Sequence, residues 1–163
     1  MNRRRTLLTG ASLLGLLAGL RSLFGSGAAE AEAERFPVSM PEAEWRRRLS
    51  PAAFGVLRRH GTERPYSSPL NAEARTGRYL CAGCEQPLFA SATKFESGTG
   101  WPSFYEALPG AVGSRTDSTL GMRRTEIHCS RCGGHLGHVF DDGPRPTGKR
   151  YCMNGVALRF AGG

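Results

Sequence analysis

Beyond residue 31 the chain carries no long run of lysine or arginine, no internal repeat apart from a doubled cysteine pair, and no low-complexity tract. The first absence disfavours nucleic-acid binding through a basic groove, and the second disfavours repeat architectures. Long apolar runs are missing as well. The stretch from Leu7 to Leu20 is fourteen residues, short for a membrane-spanning helix, and Arg21 interrupts its extension. Cysteine is scarce, five in 163 residues, and four of the five form two pairs. One thiol, Cys152, is left over.

What is present divides the chain into an export signal over residues 1–31, a linker over 32–40 and one domain over 41–163. Arg4, Arg5, Thr6, Leu7 and Leu8 resemble the core of a twin-arginine signal, followed by small residues with cleavage sites near Ala31 or Ala33. A general secretory signal and an uncleaved anchor are the alternatives. Twin-arginine passage delivers a folded chain. Thiols can then bind metal in the reducing cytoplasm before meeting an oxidising periplasm. The expected location is periplasmic, without stable membrane insertion after cleavage. Removing the segment's four arginines and one glutamate takes the formal net charge from +8 to +5, an ordinary solvated surface.

The domain begins with two helices. Acids early and bases late from Pro41 to Leu49 suit a helix dipole. Ser50 and Pro51 then supply an N-cap and a first helical residue for a second helix, ending at His60 with Gly61 as its cap. From Thr62 onward, turn residues recur every few positions between short runs such as 78–80, 123–127, 138–140 and 156–160. The expectation is a mainly β domain, with short N-terminal helices and antiparallel sheets, clipped by metal.

Cys81 and Cys84 form one Cys-x-x-Cys pair and Cys129 and Cys132 the other, the spacing of a tetrahedral four-thiolate zinc site. Gly83 and Gly133 provide permissive backbone for two knuckles. Four protein thiolates leave no open position, so such a zinc is structural. Two disulfides or a redox-active Cys-x-x-Cys are the competing readings. The latter usually opens a helix in a strand-helix-strand context, which is absent here.

Cys152 lies near Arg150, and a nearby cation can lower a thiol pKa. A hairpin turning at residues 142–146 would bring His135 and His138 alongside it, and Asn154 would share its strand face. A thiol, an amide and an imidazole are the ingredients of nucleophilic attack with acid assistance. A lone buried cysteine is more often inert packing, and His138 could equally be a structural histidine.

Four blocks, residues 77–84, 97–104, 132–140 and 148–154, resemble those of the methionine-R-sulfoxide reductases of the B type, in the same order. The resemblance implies two coiled antiparallel sheets and a four-cysteine zinc site distant from the active site. It implies that Cys152 attacks the sulfoxide sulfur, leaving a sulfenic acid. His138 and Asn154 would help protonate the oxygen and order the site, with His135 in support. Trp101 would receive the sulfur-bound methyl, Phe140 being a weaker candidate for the same wall. Oxidised proteins would be the substrates of a monomer, and a thioredoxin-like thiol the reductant, with no nucleic-acid partner.

Thr99 stands where many members of that family place a resolving cysteine, and no spare thiol exists elsewhere. Regeneration by an external thiol is therefore expected. Gly155 and Asp141 also depart from the common Ser and Pro without removing a reacting group. Two rival readings remain at this level. A zinc-knuckle binding module leaves Cys152, His138 and Asn154 unexplained, and a peroxide-reducing thiol enzyme has no use for Trp101.

Overall fold

The switch after Thr62 from helical spacing to alternation is where helices give way to sheets. The structure, a computed structural model, describes residues 35–163, less the side chain of Leu120. The expected export signal and the first residues of the linker lie outside the described residues. Helix α1 spans Glu42–Arg48 and α2 spans Pro51–Arg59. Ser50 caps α2 as expected, its hydroxyl accepting from the Ala53 N–H. The C-cap differs from expectation: His60, not Gly61, takes the left-handed conformation, at φ 55°. Gly61 serves close approach instead, since a Cβ there would stand 2.9 Å from the Gly55 carbonyl oxygen.

Nine strands follow: β1 Gly77–Cys81, β2 Pro87–Ala90, β3 Lys94–Phe95, β4 Ser103–Phe104, β5 Val112–Asp117, β6 Arg124–Cys129, β7 His135–Phe140, β8 Arg150–Met153 and β9 Leu158–Gly162. They form two antiparallel sheets, β2-β1-β9 and β3-β4-β8-β7-β6-β5. The expected strand over 156–160 starts late, because Gly155–Ala157 is a 3-10 turn. Among the described residues no helix is long and apolar enough to cross a membrane.

The core lies where side chains from both sheets meet under α2. Phe89 stacks on Phe104 at 4.4 Å, and Tyr79 meets Phe104 edge-on at 4.8 Å. All three are fully buried, so truncating Phe104 to alanine removes about 3–5 kcal/mol. Trp45 from α1 and Leu57 from α2 close the same cluster. Phe104 is the last residue of a two-residue strand, yet it anchors β4 beside β8, which carries Cys152.

Candidate active site and metal centre

Cys81 ends β1 and Cys129 ends β6, so each pair opens at the last residue of a strand. The knuckles are alike: the Glu85 N–H donates to the Cys81 carbonyl and the Gly133 N–H to the Cys129 carbonyl, both at 2.9 Å. In each, the residue after the second cysteine is left-handed, Glu85 at φ 61° and Gly133 at φ 67°. Gly133 meets the expectation for permissive backbone, but Gly83 does not hold the left-handed position in its knuckle. The sulfurs of Cys81 and Cys132 are 3.7 Å apart and those of Cys84 and Cys129 are 3.5 Å apart. Bonds of about 2.3 Å to a tetrahedral zinc imply sulfur separations of about 3.8 Å. All four donors lie within 4.8 Å of one another, with all four cysteines free of disulfides. The four are positioned to bind one metal ion, which would staple the two sheets together. Hydrogen bonds among the sulfurs push the Cys81 and Cys132 thiols up and hold Cys84 and Cys129 down.

The second centre is a rung across the larger sheet. Register places Ser103 opposite Cys152, Cys152 opposite His138, His138 opposite Glu126 and Glu126 opposite Arg115. Directly opposed residues of antiparallel strands project from one face, so these five side chains form a single row. The hairpin expected at 142–146 produces this register, with the Gly143 N–H donating to the Gly148 carbonyl at 3.0 Å.

Cys152 is half-buried. Burial pushes its thiol up, and the opposing pulls of Thr99 and Arg150 do not cancel that. The expectation of a cation-lowered thiol is corrected here. Arg150 is turned to Asp142, donating at 2.8 and 2.9 Å, and its guanidinium lies 4.4 Å from the Phe140 ring centroid. Thr99 Oγ1 stands 3.9 Å from the Cys152 sulfur, in a hydroxyl chain that runs through Ser97 at 2.8 Å to Ser103 at 2.7 Å.

His138 Nε2 lies 2.8 Å from Asp117 Oδ2. The N–H and hydroxyl of Thr119 first, then His138, hold the Asp117 carboxyl well below the usual range. An ionised carboxylate only accepts, so His138 carries a hydrogen on Nε2 and donates it to Asp117. Burial lowers the His138 pKa despite that carboxylate. His135 Nδ1 pairs with Glu126 Oε1 at 2.7 Å. Burial pushes the Glu126 carboxyl up, but His135 and Arg115 outweigh it and the net shift is down. The His135 and His138 rings meet edge-on at 5.4 Å.

Asn154 is buried, and both ends of its amide are engaged. Oδ1 accepts from the Glu63 N–H at 2.9 Å, and Nδ2 donates to the Leu136 carbonyl at 3.0 Å. Trp101, part-exposed, donates Nε1–H to the Glu63 carbonyl at 3.1 Å. Glu63 is therefore a hub that the sequence reading missed. Its carboxylate also accepts from the Gly155 and Val156 N–H groups. These links span 38 to 93 residues, and no local motif signals them. His60 was missed too; its Nδ1 lies 3.2 Å from Glu126 Oε1.

A thiol flanked by hydroxyls on one side and a carboxylate-held imidazole on the other suits attack on an acceptor that needs a proton. Comparison with known proteins agrees with that class of chemistry. The SelR domain matches residues 49–162. Peptide methionine sulfoxide reductase MsrB of Agrobacterium fabrum is 55% identical over 76% of this chain and 92% of its own length. The MsrB proteins of Methanosarcina barkeri, at 55% over 76% and 87%, and Thiobacillus denitrificans, at 57% over 73% and 91%, are similar to it as well. The chain belongs to the SelR family of MsrB-type peptide methionine sulfoxide reductases.

Proposed function

We propose that the protein reduces the R epimer of protein-bound methionine sulfoxide, with Cys152 as nucleophile. The observation that carries this reading is the rung that sets Cys152 between Ser103 and His138, beside Thr99. The thiolate attacks the sulfoxide sulfur and forms a sulfur–sulfur bond, and a proton goes to the oxygen. The resulting hydroxyl passes to the Cys152 sulfur as the methionine sulfur–oxygen bond and the new sulfur–sulfur bond both break. Methionine leaves with its sulfur reduced by two electrons, and Cys152 is oxidised by two to a sulfenic acid. His138, its Nε2–H held by Asp117, supplies the proton from Nδ1 when the ring is doubly protonated. Asn154 keeps the β8 end in place through Leu136 and Glu63, and His135 braces Glu126 alongside. Trp101, pinned by its ring nitrogen, offers the apolar wall for the methyl group, with Phe140 and its stacked Arg150 bordering the next rung. An apolar wall and a donor on different sides of the sulfur select between epimers.

With no second thiol near Cys152, the sulfenic acid is reduced by an external dithiol of the thioredoxin class in two steps, first to a mixed disulfide with loss of water, then to the free thiol. The four-cysteine centre holds zinc in a closed, structural site. The protein acts as a monomer in the periplasm after twin-arginine export. Reduction of a racemic methionine sulfoxide peptide with dithiothreitol, resolved by epimer, tests the activity. Loss of the R epimer alone, abolished in Cys152→Ser, supports it; no consumption by the zinc-loaded, folded enzyme refutes it.

A further inference from the structure

Three side chains from three elements converge beside the rung: His60 from the cap of α2, Glu126 from β6 and His135 from the first residue of β7. Their candidate donor atoms, two imidazole nitrogens and one carboxylate oxygen, lie within 4.8 Å of one another. Two of the three separations are 3.2 Å, from His60 Nδ1 to Glu126 Oε1, and 2.7 Å, from His135 Nδ1 to the same oxygen. Ligands about 2.0–2.2 Å from a tetrahedral ion are about 3.3–3.5 Å apart, so small side-chain adjustments centre an ion among them.

We propose that His60, Glu126 and His135 form a second metal site, distinct from the four-cysteine centre, that takes a borderline divalent cation of the zinc or cobalt class reversibly. Two imidazoles and one carboxylate are the donor set such ions favour over calcium or magnesium, which prefer oxygen. The site is incomplete by one position. It opens onto a cleft of about 620 Å³ whose walls also include Thr62, Asp117 and His138. His60 is the exposed member, with 55% of its side chain accessible, while Glu126 and His135 are at 5% and 3%. An ion can therefore enter from the His60 side, and water or a ligand can fill the fourth position.

Arg115 already holds both carboxylate oxygens of Glu126. It orients that carboxylate as a second-layer partner does, and its positive charge, with Arg59 and Arg124 in the same cleft, weakens cation binding. Reversible occupancy follows. To bind through Nδ1, His135 must shift the hydrogen it donates to Glu126 onto Nε2, its other ring nitrogen. An ion seated there also breaks the His135–Glu126 hydrogen bond beside the His138 ring.

The test uses the zinc-loaded protein carrying Cys152→Ser, so that neither the four-cysteine centre nor the free thiol can take the probe. Co²⁺ is added while its visible absorption and bound stoichiometry are followed. The expected result is one further equivalent, with a spectrum of nitrogen and oxygen ligation and no sulfur charge-transfer band. Adding His60→Gly should weaken that equivalent at least tenfold while keeping the fold, because glycine suits the left-handed cap. No additional equivalent, or one whose affinity His60→Gly leaves unchanged, overturns the proposal. The readout is metal binding, so it stands apart from the reductase assay.

Discussion

On the proposed mechanism, replacing Thr99 with cysteine should let the chain resolve a Cys152 sulfenic acid internally, without an external thiol. Thr99 Oγ1 is already 3.9 Å from the Cys152 sulfur. A disulfide needs about 2 Å, so with the longer carbon–sulfur bond the loop must close by roughly 1.5 Å. The 53-residue separation sets the gain in the oxidised state, a loop-closure contribution of about 4 kcal/mol before strain is subtracted. For a domain of this size that is at most about 15 °C in Tm, measured between the oxidised and reduced forms of Thr99→Cys. The decisive assay is one turnover without reductant. Wild type should retain a Cys152 sulfenic acid that dimedone traps. The variant should lose water and form an intramolecular disulfide, seen by mass spectrometry as a loss of two hydrogens relative to the reduced protein. Equal dimedone trapping in both would refute the proximity argument, since the geometry would then not hold in the reacting enzyme.

The Glu63 hub predicts that Glu63→Gln is nearly as damaging as Glu63→Ala. The amide must present an N–H to one of two N–H donors, at Gly155 or Val156, and either change should remove about 2–3 kcal/mol in denaturant unfolding. A Glu63→Gln protein within about 0.5 kcal/mol of wild type would contradict this. Because burial raises the Cys152 pKa, single-turnover reduction by pre-reduced enzyme should keep accelerating above the ordinary thiol range. A plateau reached by about pH 8 would show a lowered pKa instead. Asp117 and Glu126 have depressed carboxyl pKa values, so the stability they contribute is full above about pH 5 and is lost as pH falls further. Equilibrium unfolding should thus show an acid limb that Asp117→Asn shortens. Stripping metal from the four-cysteine centre should raise the thiols reactive to Ellman's reagent in the native protein from one towards the full five. Four or more reactive thiols before stripping would rule out a closed site.

The parts of this structure that could be read from the chain are those whose causes are local. Ser50 followed by Pro51 caps α2 from adjacent residues, and the glycine and prolines at 142–146 turn β7 onto β8. The cysteine pairs disclosed their grouping because metal ligation requires that spacing. What stayed hidden depends on partners far along the chain. The run from Val156 looks like strand, yet the Glu63 carboxylate, 92 and 93 residues away, takes the N–H groups of Gly155 and Val156 that a ladder would have used. The left-handed residue in the first knuckle is Glu85, against propensity, because the hydrogen bond back to Cys81 fixes that position whatever side chain occupies it. His60 appeared to be an ordinary helix end, and only the folded hairpin of β6 and β7 brings Glu126 to it.

The two centres are mechanically coupled on one side only. Cys129 follows Glu126 by three residues on β6, and Cys132 precedes His135 by three at the start of β7. A metal ion closing those cysteines pins the strand ends that carry Glu126, His135 and, three residues further along β7, His138. Strand β8 carries no ligand; it is held between β4 and β7 by ladder hydrogen bonds and by the Met153 N–H to the Pro102 carbonyl at 3.0 Å. Metal loss should therefore loosen the proton-donating side of the rung more than the nucleophile. The thiol of metal-depleted protein should still alkylate at Cys152 at close to its native rate, while sulfoxide reduction falls far more steeply. Equal losses in both would mean that the metal organises the whole sheet and not the β6–β7 edge.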